Sequence, residues 1–166
     1  MPLKAFSTPF CCMHYYSQIN KGYDSLHSGE QLEKAALIKE NCALKGLLLD
    51  IGAGTGLCTR EFEKQAVCIA LDPAKEMLLH FPGPKVVGRA EQLPFKNSSF
   101  DSVVSITALH HSNLVQAKAE IARIAKPGAK IAISFFKRAA SFQEAKRLFS
   151  NLKQIDSEKD LIFAKT

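Results

Sequence analysis

The chain has 166 residues, 46% of them hydrophobic and 23% charged, and carries a formal net charge of +6. It is long enough for one domain with a sizeable core and too short for two ordinary ones. No apolar run approaches the roughly 18 residues of a membrane span. The start lacks the basic-then-apolar pattern of a secretion signal, so a soluble, intracellular and cytoplasmic protein is expected.

Residues 1–20 read as an irregular aromatic lead with Pro2 and Pro9. Gly29 to Glu40 reads as a helix with an apolar stripe of Leu32, Ala35, Ala36 and Ile38. Regular alternation follows: a strand at 47–51, a helix at 57–64, a strand at 66–71, a helix at 74–80 and a strand around Lys85 to Gly88. Such βαβ units specify a mostly parallel sheet with right-handed crossovers. Phe100 to Ile106 is a fourth strand, and Leu114 to Ala125 a helix with Leu114, Ala117, Ile121 and Ile124 on one face. Pro127-Gly128 ends it, and Lys130 to Phe136 makes the fifth strand. Ser141-Phe142-Gln143-Glu144 has the form of a capping box for a final helix with Phe142, Ala145, Leu148 and Phe149 facing inward. Asn151 to Ile155 and Leu161 to Lys165 read as a closing hairpin whose antiparallel last strand completes seven. The expectation is α/β, with 1–40 an N-terminal segment and helix covering the active-site side and 41–166 the binding domain, together one structural domain.

Five cysteines, Cys11, Cys12, Cys42, Cys58 and Cys68, form no C-x-x-C pair, and the histidines complete no zinc pattern. Reduced thiols and no metal are expected, with Cys11-Cys12 and His14 as the alternative for a metal or redox site. The charge is uneven: residues 117–166 hold eleven Lys or Arg against five Asp or Glu, while residues 1–116 balance at eleven each. A basic C-terminal third suits an anionic or RNA partner, and equally a solvated face.

The most informative segment is Gly46-Leu47-Leu48-Leu49-Asp50-Ile51-Gly52-Ala53-Gly54-Thr55-Gly56. A buried strand ends in an acid and then in alternate glycines, which let the backbone turn sharply and approach a ligand closely. It reads as a nucleoside-binding turn. The dinucleotide fingerprint G-x-G-x-x-G would place its third glycine at position 57, which is Leu57. Asp50 instead offers a carboxylate to a cationic amine. Asp72, ending the strand Val67 to Leu71, suits ribose hydroxyls. It also suits a helix N-cap with Pro73 at the first helical position.

Further motifs stand in order: Ile69-Ala70-Leu71-Asp72-Pro73, then Gly88-Arg89-Ala90-Glu91-Gln92-Leu93-Pro94-Phe95, Ser99-Phe100-Asp101, and Glu120-Ile121-Ala122-Arg123-Ile124-Ala125-Lys126-Pro127-Gly128. With Asp50 to Gly56 they resemble the type-11 branch of class I S-adenosylmethionine (SAM) methyltransferases, which includes ubiquinone and menaquinone biosynthesis methyltransferases. The similarity covers roughly Tyr15 to the C-terminus. It implies a Rossmann-like, doubly wound sheet of order 3-2-1-4-5-7-6 with SAM across the ends of strands 1, 2 and 4. Gly52, Gly54 and Gly56 would cradle the methionine and ribose parts, Asp50 the amino group, and Asp72 with Pro73 the ribose. Ala90 and Glu91 would border the adenine, and Thr107 would lie near the sulfonium. Two departures are Arg89, where relatives often have an acid, and Ala129, where a second glycine is common.

The segment Thr107-Ala108-Leu109-His110-His111 leaves strand 4 where a methyl group would be presented. His110 or His111 is a candidate proton acceptor, or a structural or substrate-positioning residue. No Asn-Pro-Pro-Tyr follows strand 4, and no cysteine lies on strands 4 or 5, which disfavours exocyclic-amine chemistry and a thiol nucleophile. Tyr15, Tyr16 and Tyr23 are candidates to close over cofactor or substrate. Lys137, Arg138, Lys146 and Arg147 are candidates to meet phosphate or carboxylate of an acceptor. The expected function is direct in-line methyl transfer to a small molecule, RNA or protein, with S-adenosylhomocysteine as product. The alternative is a non-catalytic or partner-dependent SAM-binding subunit.

Overall fold

A computed structural model describes the backbone of residues 20–166 and the side chains from Ser28 onward. Cys11, Cys12, His14, Tyr15 and Tyr16 lie outside the described residues, as does the side chain of Tyr23. The elements are α1 (Asn20–Asn41), β1 (Leu47–Ile51), α2 (Leu57–Phe62), β2 (Val67–Asp72), α3 (Lys75–Leu78), β3 (Lys85–Val87), β4 (Phe100–Ile106), a 3-10 turn (Leu109–His111), α4 (Leu114–Ile124), β5 (Ala125–Phe136), α5 (Phe142–Leu148), β6 (Lys153–Asp156) and β7 (Asp160–Lys165). The seven strands form one sheet in the order β3-β2-β1-β4-β5-β7-β6. Pairings are parallel from β3 through β5, and β7 runs antiparallel to both β5 and β6.

Period-two alternation assigns each strand residue to a layer. Leu49, Ile51, Val103, Ile133, Phe135, Leu161 and Phe163 join α4 and α5 in one core. Leu48, Val104, Ile106, Ala132, Ile162 and Ala164 face Ala35 and Ile38 of α1 and Phe62 of α2 in the other. Because βαβ crossovers return every parallel strand in one direction, the carboxyl ends of β1, β2 and β4 share one edge of the sheet. That edge carries the glycine loop.

Four local expectations are corrected. The first helix begins at Asn20 and runs through Gly29, which is exposed and has open space around its Cα; its buried stripe keeps Ala35 and Ile38 but leaves Leu32 and Ala36 outside. The helices expected at 57–64 and 74–80 are shorter, ending at Phe62 and Leu78. Pro127-Gly128 does not separate helix from strand. β5 already starts at Ala125, which pairs with Phe100, and the ladder shifts register before Lys130 meets Ser102; Gly128, at φ 78, lets the strand bend there. Ser141 makes no side-chain cap bond, and its hydroxyl finds no partner among the described residues, so the capping box does not form.

Candidate cofactor site

The glycine loop is tied to β2 by backbone and carboxylate. The Gly52 and Ala53 N–H groups donate to the Leu71 carbonyl at 2.7 and 3.0 Å. Asp72 then accepts from the Gly54 N–H at 2.9 Å through Oδ2 and from the Ala74 N–H at 2.8 Å through Oδ1. Gly52, Gly54 and Gly56 all have positive φ, at 77, 56 and 76°. The reasons for glycine differ beyond that shared conformation. A Cβ at Gly52 would run into the Ala108 methyl and one at Gly56 into the Phe81 ring, whereas Gly54 meets only Met77 Cε at 3.6 Å. Two of the glycines admit protein, and the third leaves room in the cleft.

That cleft is continuous. Asp50, Gly52, Gly54, Asp72, Pro73, Ala90, Glu91, Thr107 and His111 all line it; Gly56 and His110 do not. Gln31 of α1, Met77 of α3 and Leu109 complete its walls. The sequence offered no signal for Gln31, whose contribution depends on how α1 docks. Met77 was within the expected helix after Asp72, but its inward direction was not legible.

Asp50 is 2% exposed, and the Thr59 hydroxyl of α2 donates to its Oδ2 at 2.7 Å. Burial pushes its carboxyl up to about 7; the Thr59 bond opposes that shift and the nearby Asp72 adds to it. Asp72 is also raised by burial, against the two N–H bonds that favour its charged form. Partial burial would raise Glu91 too, but bonds from its own backbone, the Asn113 N–H and Arg89 outweigh it and hold the carboxyl below its ordinary range. Arg89, half exposed, lies 3.2 Å from Glu91. The departure at position 89 thus supplies the partner of a neighbouring acid.

The segment after Glu91 is braced by α4. Arg123 donates to the carbonyls of Leu93 at 2.9 Å and Phe95 at 2.7 Å, and to Asn97 at 3.0 Å. Glu120 accepts from the Leu93 N–H at 2.7 Å and from Arg123. The acid and base in the Glu120-to-Gly128 motif therefore fix residues 93–97, the segment that follows Ala90 and Glu91, from outside the cleft.

At the end of β4 the two histidines separate. His111 is exposed at the cleft mouth. His110 stacks against it with ring centroids 3.8 Å apart, and its buried Nδ1 finds no hydrogen-bond partner among the described residues. Burial, with His111 and Lys34 nearby, depresses His110 to about 4, and burial lowers His111 as well. Both shifts favour the neutral imidazole. Thr107 is more heavily engaged: its hydroxyl accepts from Lys34 Nζ at 3.0 Å and lies 3.1 Å from Ser134 Oγ and 3.3 Å from Asp160 Oδ1. Lys34 and Asp160 form a buried ion pair at 2.6 Å. The only sequence sign of this network was a lysine four residues before Ile38, on the buried face of α1.

The basic candidates fare differently. Lys137 is committed to the β6–β7 turn, at 2.9 Å from Asp156 and donating to the Ser157 carbonyl at 2.6 Å. Arg138, Lys146 and Arg147 are exposed, and none of the four lines the cleft. Among the described residues no three His, Cys, Asp or Glu side chains gather for a metal ion, and no helix is long and apolar enough to cross a membrane.

A mostly parallel sheet of this order, with a glycine loop and two strand-end acids lining one cleft, defines a Rossmann-like domain. The chain belongs to the methyltransferase domain family, in the type-11 branch of the class I SAM-dependent enzymes; the family profile matches residues 49–133, about half the chain. SAM is the cofactor of this family. The chain is 35% identical over 116 residues to an uncharacterized protein of Methanocaldococcus jannaschii, covering 68% of this chain and 46% of that one. It is 31% identical over 139 residues to a demethylmenaquinone methyltransferase of Corynebacterium glutamicum, covering 77% and 60%. It thus spans about half the length of these relatives. The fold matches a putative SAM-dependent methyltransferase of Methanococcus maripaludis with TM-score 0.70, 19% identity and coverage of 90% and 93%. It also matches a structure of a putative methyltransferase in complex with the Haloferax volcanii Trm112 methyltransferase activator, with TM-score 0.72, 19% identity and coverage of 85% and 77%.

Proposed function

We propose that this chain is a SAM-dependent methyltransferase that binds its cofactor across the carboxyl ends of β1, β2 and β4 and transfers methyl directly to an acceptor. The observation that carries the reading is the single cleft shared by Asp50, the glycine loop, Asp72, Ala90, Glu91 and Thr107. The residues fit such a group: Gly54, left-handed at φ 56°, leaves the cleft open beside Met77, and buried acids stand at two strand ends. In this reading Asp50 meets the amino group, Gly52 and Gly54 border the methionine part, and Gly56 supports the loop by admitting Phe81. Asp72 takes the ribose hydroxyls with lone pairs left over from its two N–H bonds, beside Pro73. Ala90 and Glu91 border the adenine, and Thr107 the methyl end.

When bound, SAM supplies an activated methyl on a sulfonium. The chain's share is alignment of the nucleophile and exclusion of water, for which orientation alone accounts for much of the rate. His111, neutral and at the mouth, is the candidate to take a proton from a hydroxyl, amine or ring nitrogen; His110 supports it. The acceptor is a small molecule, RNA or protein; among the described residues no long insertion follows β4, β5 or α5, which suits a large or flat substrate. A second reading is that a partner completes the enzyme. The short loops over the site favour it, and the structurally similar protein solved with an activator illustrates such an assembly.

Calorimetric titration with SAM, S-adenosylhomocysteine and NAD tests the cofactor. Micromolar affinity for the first two with none for NAD is the expected result, and absence of SAM binding would sink the reading. Radiolabelled methyl transfer to fractionated RNA, protein and metabolites, with and without a Trm112-type protein, then separates an autonomous enzyme from a partner-dependent one.

A further inference from the structure

The end of β4 is held in a conformation that its own residue resists. Thr107 has a φ of 52°, where a β-branched side chain crowds its own backbone and persists only if its surroundings dictate it. Those surroundings come from α1, β5 and β7. The Thr107 N–H donates to both the carbonyl and the hydroxyl of Ser134, at 3.2 and 2.9 Å. Its hydroxyl accepts from Lys34, which is 6% exposed, and lies within hydrogen-bond reach of Ser134 and Asp160, both wholly buried.

A buried ion pair contributes little net stability compared with apolar side chains of similar volume, so its presence here calls for a geometric reason. The left-handed residue reverses the chain just before Ala108, whose methyl occupies the space left by the missing side chain of Gly52. The network therefore joins α1 to the contact between the end of β4 and the glycine loop.

We propose that Lys34 is a positioning residue of the methyl-transfer site: with Asp160 it holds Thr107 in its left-handed conformation and so sets the methyl end of the cleft. This rests on the cofactor reading above. It extends that reading by giving the N-terminal helix a defined role that does not require Lys34 to touch the cofactor.

The test exploits glycine, which adopts this φ without help. Lys34→Met and Asp160→Asn are introduced together, so that no lone buried charge remains, and SAM affinity is measured by calorimetry with and without Thr107→Gly. With Thr107 present, the pair of changes should weaken SAM binding at least tenfold. In the Thr107→Gly background the same pair should cost less than twofold. Equal losses in both backgrounds, or none in either, would overturn the proposal, because a helix-docking role alone gives no such rescue. If the paired variant does not fold, Lys34→Met alone is compared across the same two backgrounds and judged by the same pattern. Failure of the unmodified chain to bind SAM would overturn the cofactor reading itself, whereas normal binding with equal losses overturns only the role of Lys34.

Discussion

Asp50 is an acid that the fold does not want charged. An ordinary aspartate ionises near 3.9, while burial lifts Asp50 in the folded chain to about 7. A raised folded-state pKa favours folding when the proton is on. The stabilisation is fully present below the unfolded pKa of about 4 and is lost as pH rises through about 7, by an amount on the order of 4 kcal/mol. Asp50→Asn keeps an oxygen to accept from Thr59 but cannot ionise. Its unfolding free energy should therefore gain on the wild type from pH 4 to 7 and hold that gain above it. Urea denaturation of both proteins at pH 5 and pH 8 reads this directly, and a difference that does not change with pH would show that the carboxyl ionises without penalty. The same change should weaken SAM at pH 8, because the bound amine loses its carboxylate.

Asp72 is raised by burial in the same direction, but unlike Asp50 its two oxygens also pin backbone, the Gly54 and Ala74 N–H groups. Asp72→Ala should cost roughly 2 kcal/mol of stability, typical of losing hydrogen bonds to a charged acceptor, as well as SAM affinity. Asp72→Asn, retaining one acceptor oxygen, should recover part of each. Calorimetry and denaturation on the two variants decide it, and a fully stable Asp72→Ala would remove the loop-anchoring role.

At the scale of elements, what was legible followed from strong local signals. The strands β1, β2 and β7 show as apolar runs, and the face of α4 as Leu114, Ala117, Ile121 and Ile124, all four buried as expected. The glycine loop was legible because its conformation excludes other residues. What failed depended on tertiary context. Ala125 and Lys126 continue a helical pattern, yet Phe100 recruits Ala125 into the sheet. Ser141 carries the right residues for a cap, but the adjoining backbone does not bring its hydroxyl to an N–H. Lys34 and Asp160, 126 positions apart by their numbers, had nothing in sequence to connect them. Within α4, the motif that drew attention proves to be a brace. Arg123→Ala should leave the sheet intact while loosening residues 93–97. Faster proteolysis of that segment and a several-fold weaker SAM affinity are expected; unchanged proteolysis would show that α4 does not restrain it.

For the whole molecule, the cleft depends on attachments that share no element apart from the sheet. Asp72 ties the glycine loop to β2, Arg123 ties residues 93–97 to α4, and Lys34 with Asp160 ties the end of β4 to α1 and β7. A ligand spanning all of these walls binds the folded chain and not the unfolded one, so it must stabilise the molecule as a unit. At a concentration one hundred times its dissociation constant, SAM adds about 2.7 kcal/mol. For a chain of this size that corresponds to a rise in the unfolding midpoint of roughly 5–10 °C. NAD should give no shift, because Leu57 stands where the dinucleotide fingerprint requires glycine. Differential scanning calorimetry across a SAM series makes the comparison. A single transition that moves upward with the logarithm of SAM concentration would mean that the tethers unfold together, whereas a split transition with only one part moving would mean that the walls of the site are separable units.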